Sequence, residues 1–119
     1  MGRPLAWFEI MSPDADRARA FYTTLFGWKS EQPEGLDGYT LVDTVSEPLS
    51  VGGGIGAAQE GGMPPGLLVY FRVDDLGATI DTARELGGST IQEPMTLPGD
   101  FGSVAVIADP DGNAVGLWA

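Results

Sequence analysis

Histidine and cysteine are both absent from this 119-residue chain, and basic residues are scarce, with 6 Lys and Arg against 17 Asp and Glu for a formal charge of −11. Without cysteine there is no disulfide framework, no thiolate metal site and no thiol nucleophile, which is compatible with a reducing compartment. Without histidine the commonest general base and the commonest ligand for zinc, iron and nickel are gone, so a mechanism must use carboxylates, tyrosine, lysine, arginine or backbone. The acidic balance repels phosphate backbones and anionic lipid head groups, which argues against a nucleic-acid or membrane partner. No apolar run approaches the roughly 20 residues of a membrane span, and no charged segment followed by a long apolar run opens the chain. The expectation is a soluble cytoplasmic protein.

What is present is enough for a core. Hydrophobic residues make up 43% of the chain, and its length suits a single domain. "LAWFEI", Leu5 to Ile10, is a strand with a carboxylate in it. In "MSPDADRARAFYTTLFGW", Ser12 suits an N-cap, Pro13 the first helical position, and Asp14 and Asp16 the positive end of a helix. Ala18, Phe21, Tyr22 and Leu25 recur at helical spacing, and Gly27 marks the stop. "WKSEQ", "GYTLVDT" and "LSVGGGIGA" read as three strands, and "AQEGGMPPG" is a connector. The order then repeats: "LLVYFRV" is a strand, "DDLGATIDTARELGG" a helix with Leu76, Ile80 and Ala83 on one side, and "STIQE", "GSVAVIAD" and "AVGLWA" are strands.

Both halves read βαβββ. A slide of 61 residues lays Asp14 on Asp75, Leu25 on Leu86 and Gly27 on Gly88, the mark of an internal duplication. The predicted organisation is one domain over 1–119, with a first module over 1–57, a Gly/Pro-rich connector over 58–66 and a second module over 67–119. A βαβββ unit covers one face of its sheet with its helix and leaves the other bare. The expected class is therefore α+β: two tandem modules whose curved mixed sheets enclose a cavity, with a helix outside each.

Strand alternation assigns side chains to that cavity face. Ala6, Phe8 and Ile10 suit packing under the helix, leaving Leu5, Trp7 and Glu9 on the other side. In the second module Leu68, Tyr70 and Arg72 should face inward, with Val69, Phe71 and Val73 under the helix; Gly116 and Trp118 share the inward face of the last strand. Glu9 has three readings: an internal hydrogen bond or ion pair, a ligand-binding group, or an acid/base catalyst. Trp7, Tyr70 and Trp118 offer flat surfaces with polar handles, suited to a planar ligand and equally to core or dimer packing. Arg72 can pair with Glu9, hold an acidic ligand bidentately, or reach solvent at the strand end.

Two motif-like strings are set aside. "GGGIGA", Gly52 to Ala57, fits the dinucleotide fingerprint formally but is followed by the connector where a helix is required. "DPDGN", Asp109 to Asn113, has acidic spacing like a calcium loop, but its Gly is misplaced and no twelfth-position Glu follows; it reads as a hairpin turn.

The doubled βαβββ pattern, "WFEIMSPDADRARAFYTTLFGW" and "ADPDGNAVGLW" together resemble the vicinal oxygen chelate superfamily of glyoxalase I, bleomycin-resistance proteins and extradiol dioxygenases. The resemblance covers nearly the whole chain and implies the cavity-enclosing fold and a homodimer. It also implies, for the enzymes of that family, a metal held by His, Glu or Gln. Carried over, those positions are Trp7, Leu68, Gly116 and a place in "VGGGIGA", none of which has a ligating side chain. The expectation is a member without metal or other cofactor. It binds a small organic molecule, planar or acidic, through Trp7, Glu9, Leu68, Tyr70, Arg72, Gly116 and Trp118. The alternative is a metal-independent isomerase, cyclase or lyase with Glu9 as acid/base, and the less favoured one a metal-dependent glyoxalase or dioxygenase.

Overall fold

The computed structural model describes residues 2–36, 38–44, 51–58 and 65–119. The chain divides into two compact units, one from Trp7 to Leu67 and one that joins the residues up to Ala6 with Leu68–Ala119. Most of the connector, 59–64, lies outside the described residues.

In the first unit the elements are β1 (Leu5–Ser12, its first two residues grouped with the other unit), α1 (Ala15–Phe26), β2 (Lys29–Glu31), β3 (Thr40–Asp43) and β4 (Gly52–Ala57). The sheet order is β2-β3-β4-β1, with β1 parallel to β4 and the other pairs antiparallel. Its core is Ile10, Val42 and Ile55 with Phe8, Ala18, Tyr22 and Trp28 packed against them. Phe8 and Ile10 therefore do lie under the helix, as alternation requires. The stretch "GGGIGA" is β4 itself, a paired strand and not a phosphate loop.

The start of α1 differs from the sequence expectation by two residues. Asp14 is the N-cap, its carboxylate accepting from the Arg17 N–H at 3.1 Å. Ser12 instead braces the cap from outside, its hydroxyl accepting from the Asp14 N–H and donating to the Asp14 carbonyl. A carboxylate is the better group there because it also answers the positive end of the helix. The apolar stripe is also rolled. Tyr22 stacks on Trp28 at 9° and Phe26 lies 5.3 Å from the same ring, which turns Phe21 and Leu25 outward to 58% and 59% exposure.

The second unit repeats the plan with β5 (Gly66–Arg72, its first two residues grouped with the other unit), α2 (Leu76–Glu85), β6 (Ser89–Thr96), β7 (Ser103–Ala108) and β8 (Ala114–Trp118). Its order is β5-β8-β7-β6, with β5 parallel to β8. Val73, Leu76, Ile80, Ala105 and Leu117 form its core, while Val69, expected beneath the helix, is exposed. The chain start belongs here: Arg3 pairs with Asp74 at 2.7 Å, and the Arg72 N–H donates to the Pro4 carbonyl. Strand β6 runs past Pro94, beyond the expected "STIQE". It ends the sheet order and has register shifts, so the missing proline N–H is tolerated.

The duplication is exact at the caps and slips at the stops. Asp75 caps α2 through the Ala78 N–H, 61 residues on from Asp14 and Arg17. At the C-termini, Gly27 (φ +69°) is the left-handed residue that ends α1, whereas after α2 the left-handed residue is Gly87 (φ +95°), one short of the expected Gly88. Gly88 serves another need: a Cβ there would collide with the Ala108 and Ala83 carbonyls. "DPDGN" is the β7–β8 turn, where Asp109 accepts from the Asn113 side chain and from the Asn113 and Asp111 N–H groups. These bonds, the Asn113 side chain first, hold the Asp109 carboxyl below its ordinary range.

Candidate functional site

In the first unit, parallel pairing sets Glu9 beside Gly54 and Phe8 beside Gly53. Gly52, Gly53 and Gly54 follow one another, and Gly52, Gly54 and Gly56 leave one face bare, because aromatic rings lie against the strand on both faces. A Cβ on Gly53 would strike the Phe8 ring under the helix. On the opposite face, a Cβ on Gly54 would strike Tyr39, and one on Gly52 would come within 3.0 Å of the Trp7 ring. "GGGIGA" is thus a flat seat for rings, and close approach is its reason for glycine.

Tyr39 was not singled out from sequence. The Tyr39 N–H donates to the Leu36 carbonyl at 3.1 Å beside Gly38 (φ +75°), which turns the chain back before β3. Its ring then lies over Gly54. The Trp7 Nε1–H donates to the Tyr39 hydroxyl at 3.2 Å, and that hydroxyl donates to Glu9 Oε2 at 2.7 Å. Indole has a donor only and carboxylate accepts, so the one phenolic proton has a fixed direction, toward Glu9. Trp7, Glu9 and Tyr39 are each partly exposed. The face holding Trp7 and Glu9 is the one alternation assigned to them. The signal that could have found Tyr39 is the glycine alternation itself, since three bare positions on one face require something large above them.

In the second unit the corresponding pairing sets Tyr70 beside Gly116 and Arg72 beside Trp118. Tyr70 stands 61 residues after Glu9, so Gly116 is the counterpart of Gly54. A Cβ on Gly116 would strike the Tyr70 ring near its root. Leu68 and Tyr70 are buried at 5% and 7%. The Arg72 guanidinium lies 4.8 Å from the centre of the Trp118 ring, a cation–π contact at an exposed strand end. The Trp118 Nε1–H is used in a 2.7 Å bond to the Phe101 carbonyl. This half brings Tyr70 to Gly116 and Arg72 to Trp118, a cation on an aromatic platform.

A metal ion fits these residues poorly. Of the positions implied by the resemblance, Trp7 presents an indole, Leu68 an alkyl chain, and Gly116 and the β4 glycines have rings over them. Among the described residues no group of three or more His, Cys, Asp or Glu is placed to hold a metal. Two surface clefts lie elsewhere. One of about 330 Å³ runs along Ile10–Pro13, Arg17, Phe21, Tyr22 and Leu67, and one of about 390 Å³ lies beside Arg3 and α2.

A family model described as "Glyoxalase/Bleomycin resistance protein/Dioxygenase superfamily" matches residues 5–117. The chain is 34% identical over 115 residues to the putative glyoxylase CFP32 of Mycobacterium tuberculosis, covering 94% of this chain and 44% of that protein. It is 35% identical over 127 residues to the anthracycline biosynthesis protein DnrV of Streptomyces peucetius, covering 95% and 46%. The chain spans about half the length of these relatives. Among solved structures, methylmalonyl-CoA epimerase from Mycobacterium tuberculosis superposes with a TM-score of 0.65 at 20% identity, over 96% of this chain and 85% of that one, a likeness of fold.

Proposed function

The chain belongs to the glyoxalase/bleomycin resistance protein/dioxygenase superfamily, and from that premise we propose that it is a small-molecule binding protein that holds an organic ligand without a metal. The observation that carries this reading is the replacement of metal donors by aromatic surface. Where the resemblance puts ligating side chains, this chain has Trp7, Leu68, Gly116 and the β4 glycines, and rings of Trp7, Tyr39 and Tyr70 lie against those glycines. Flat rings beside a carboxylate, as in the first unit, suit a planar molecule bearing polar groups. In the second unit Leu68, Tyr70, Arg72, Gly116 and Trp118 are the residues we propose for ligand contact. The name of DnrV, a protein of anthracycline biosynthesis, is in keeping with a planar ligand.

A homodimer is part of this reading. Phe21, Leu25 and Phe26 leave α1 with an exposed apolar flank, which favours a second copy over an isolated chain. A cytoplasmic location accords with the absence of cysteine.

A second reading, a metal-independent isomerase, cyclase or lyase, is favoured by one observation: a carboxylate fixed by a 2.7 Å bond is placed as an acid/base group would be. The name "putative glyoxylase" of the CFP32 relative also favours an enzyme.

Native mass spectrometry of the protein as purified tests the main reading. A metal-free dimer carrying an organic adduct is expected. A stoichiometric divalent metal would overturn it. Glu9→Gln separates the two readings, since it keeps shape but removes the base. Turnover falling about 10²- to 10⁴-fold with binding retained would establish the enzyme.

A further inference from the structure

Resting on the ligand-binding reading, we propose that the second unit recognises a carboxylate. Arg72, held on the Trp118 ring, takes the acid group of a flat, singly charged ligand, and Trp118 is its positioning residue.

The partners of the other arginines set Arg72 apart. Arg3 holds Asp74 at 2.7 Å, Arg19 holds Asp16 at 3.4 Å, and Arg84 lies 3.4 Å from Glu93. The chain has 17 Asp and Glu, yet among the described residues no carboxylate or other acceptor meets the Arg72 guanidinium. The acid two residues on, Asp74, is already taken by Arg3. What Arg72 has is a ring, its guanidinium carbon 4.8 Å from the centre of Trp118. A ring attracts the cation through its quadrupole and supplies no lone pair, so the N–H donors are left to water or to a ligand. Their planar fork matches a carboxylate bidentately.

The platform is set in advance. Arg72 and Trp118 are direct partners in the parallel ladder of β5 and β8. The Trp118 indole is tied by its 2.7 Å bond to the Phe101 carbonyl, and its own carbonyl accepts from the Val73 N–H at 2.9 Å. Ser103 and Ala119 exchange N–H and carbonyl at 2.8 and 2.9 Å beside it. Gly102 (φ +78°) allows this closure, since a Cβ there would lie 2.5 Å from the Ala119 carbonyl oxygen and 3.0 Å from Trp118 Nε1. A fixed ring restrains the side chain laid on it, so Arg72 loses less freedom on binding. Arg72 is exposed and Trp118 partly so, which lets a small acid reach the pair.

One guanidinium balances one negative charge, which favours a carboxylate over a phosphate dianion. The formal charge of −11 opposes any anion at a distance. At physiological salt that repulsion is screened beyond about 8 Å, while direct contact with the guanidinium is not.

The probes are benzoate and benzamide at equal millimolar concentration, alike in shape and different in charge. The readouts in ¹H–¹⁵N spectra are the indole N–H signals of Trp7, Trp28 and Trp118 and the Arg72 Nε–H signal. Benzoate should move the Trp118 and Arg72 signals, and benzamide should leave them in place. Arg72→Gln should weaken benzoate about tenfold or more, and Arg72→Lys, which keeps the charge without the fork, by less. In the parent, the Arg72 side-chain protons should be shifted upfield by the ring beneath them. Trp118→Phe, which keeps a ring there, should retain that shift and most of the benzoate response at Arg72.

Benzoate binding Arg72→Gln as tightly as the parent, or benzamide matching benzoate, would overturn the carboxylate assignment. Arg72 side-chain protons at random-coil positions would remove the positioning role of Trp118. If a probe moves Trp7 and leaves Trp118 unmoved, ligand binding stands and this inference falls. If neither probe moves any indole, both fall for ring-bearing ligands.

Discussion

The two units each place a tyrosine ring over a glycine at a matching strand pairing, yet the ionisable group each one presents is of opposite charge. In the first, Tyr39 comes from the turn before β3, lies over Gly54 and hands its proton to Glu9. In the second, Tyr70 comes from the strand itself, lies over Gly116 and is buried, while the polar group is Arg72 on the Trp118 face. A duplicated plan keeps its backbone because caps and pairing are set locally. Its chemistry diverges because a single side chain on the bare face changes without disturbing either.

The largest effect expected from breaking this parallel is at Gly116. A Cβ there meets the root of a ring that is 7% exposed and has no room to swing, so Gly116→Ala should cost about 2–3 kcal/mol of stability, read by urea unfolding. Gly54→Ala meets the far end of the half-exposed Tyr39, which can rotate away. It should cost about 1 kcal/mol or less while shifting the Trp7 indole N–H signal in ¹H–¹⁵N spectra, since the acceptor of that N–H is the Tyr39 hydroxyl. Equal losses at the two glycines would mean that the seats are not different in kind.

The caps provide a control in which the units should behave alike. Asp14 and Asp75 each accept one backbone N–H, at 3.1 and 3.0 Å, so each Asp→Ala change should cost about 1 kcal/mol by thermal unfolding. A gap of more than about 1 kcal/mol between them would show that the helices are not equivalently held.

The smallest effect is at Asp109, in the β7–β8 turn of the second unit. Its folded pKa lies below the ordinary 3.8, because the Asn113 side chain and then the Asn113 N–H bond the charged form. The stabilisation is therefore present above about pH 3.8 and is lost as pH falls through the lower folded value. Asp109→Asn should flatten that part of the acid-unfolding curve by removing a small stabilisation at neutral pH while leaving stability below the folded pKa nearly unchanged, the effect being small because solvent screens the carboxylate.

Much of the local order was legible because it is decided by neighbours in the chain. Asp14 and Asp75 at helix starts, glycines at helix stops, the "DPDGN" turn and period-two alternation in "LAWFEI" all act over a few residues, and the succession of elements along the chain followed from the repeat. The cap at Asp14 and not Ser12, and the stop at Gly87 and not Gly88, are one- or two-residue slips settled by which group reaches an open N–H or a crowded carbonyl. Of the site, alternation put Trp7 and Glu9 on the face opposite Phe8 and Ile10, while the contacts of Tyr70 with Gly116 and of Arg72 with Trp118 were not legible. Nor was Tyr39, because it sits outside β3 and meets Glu9 across 30 residues of chain.

The sequence by itself determined the doubled βαβββ plan, the absence of a histidine or cysteine site, and the acid and base available to chemistry, since these depend on composition and short-range geometry. Tertiary structure alone decided that Tyr39 closes a donor chain onto Glu9, that Arg72 rests on Trp118, and that α1 rolls Phe21 and Leu25 outward. Those outcomes depend on which rings pack against which strand, and packing compares all partners that meet in space, not only those adjacent in the chain.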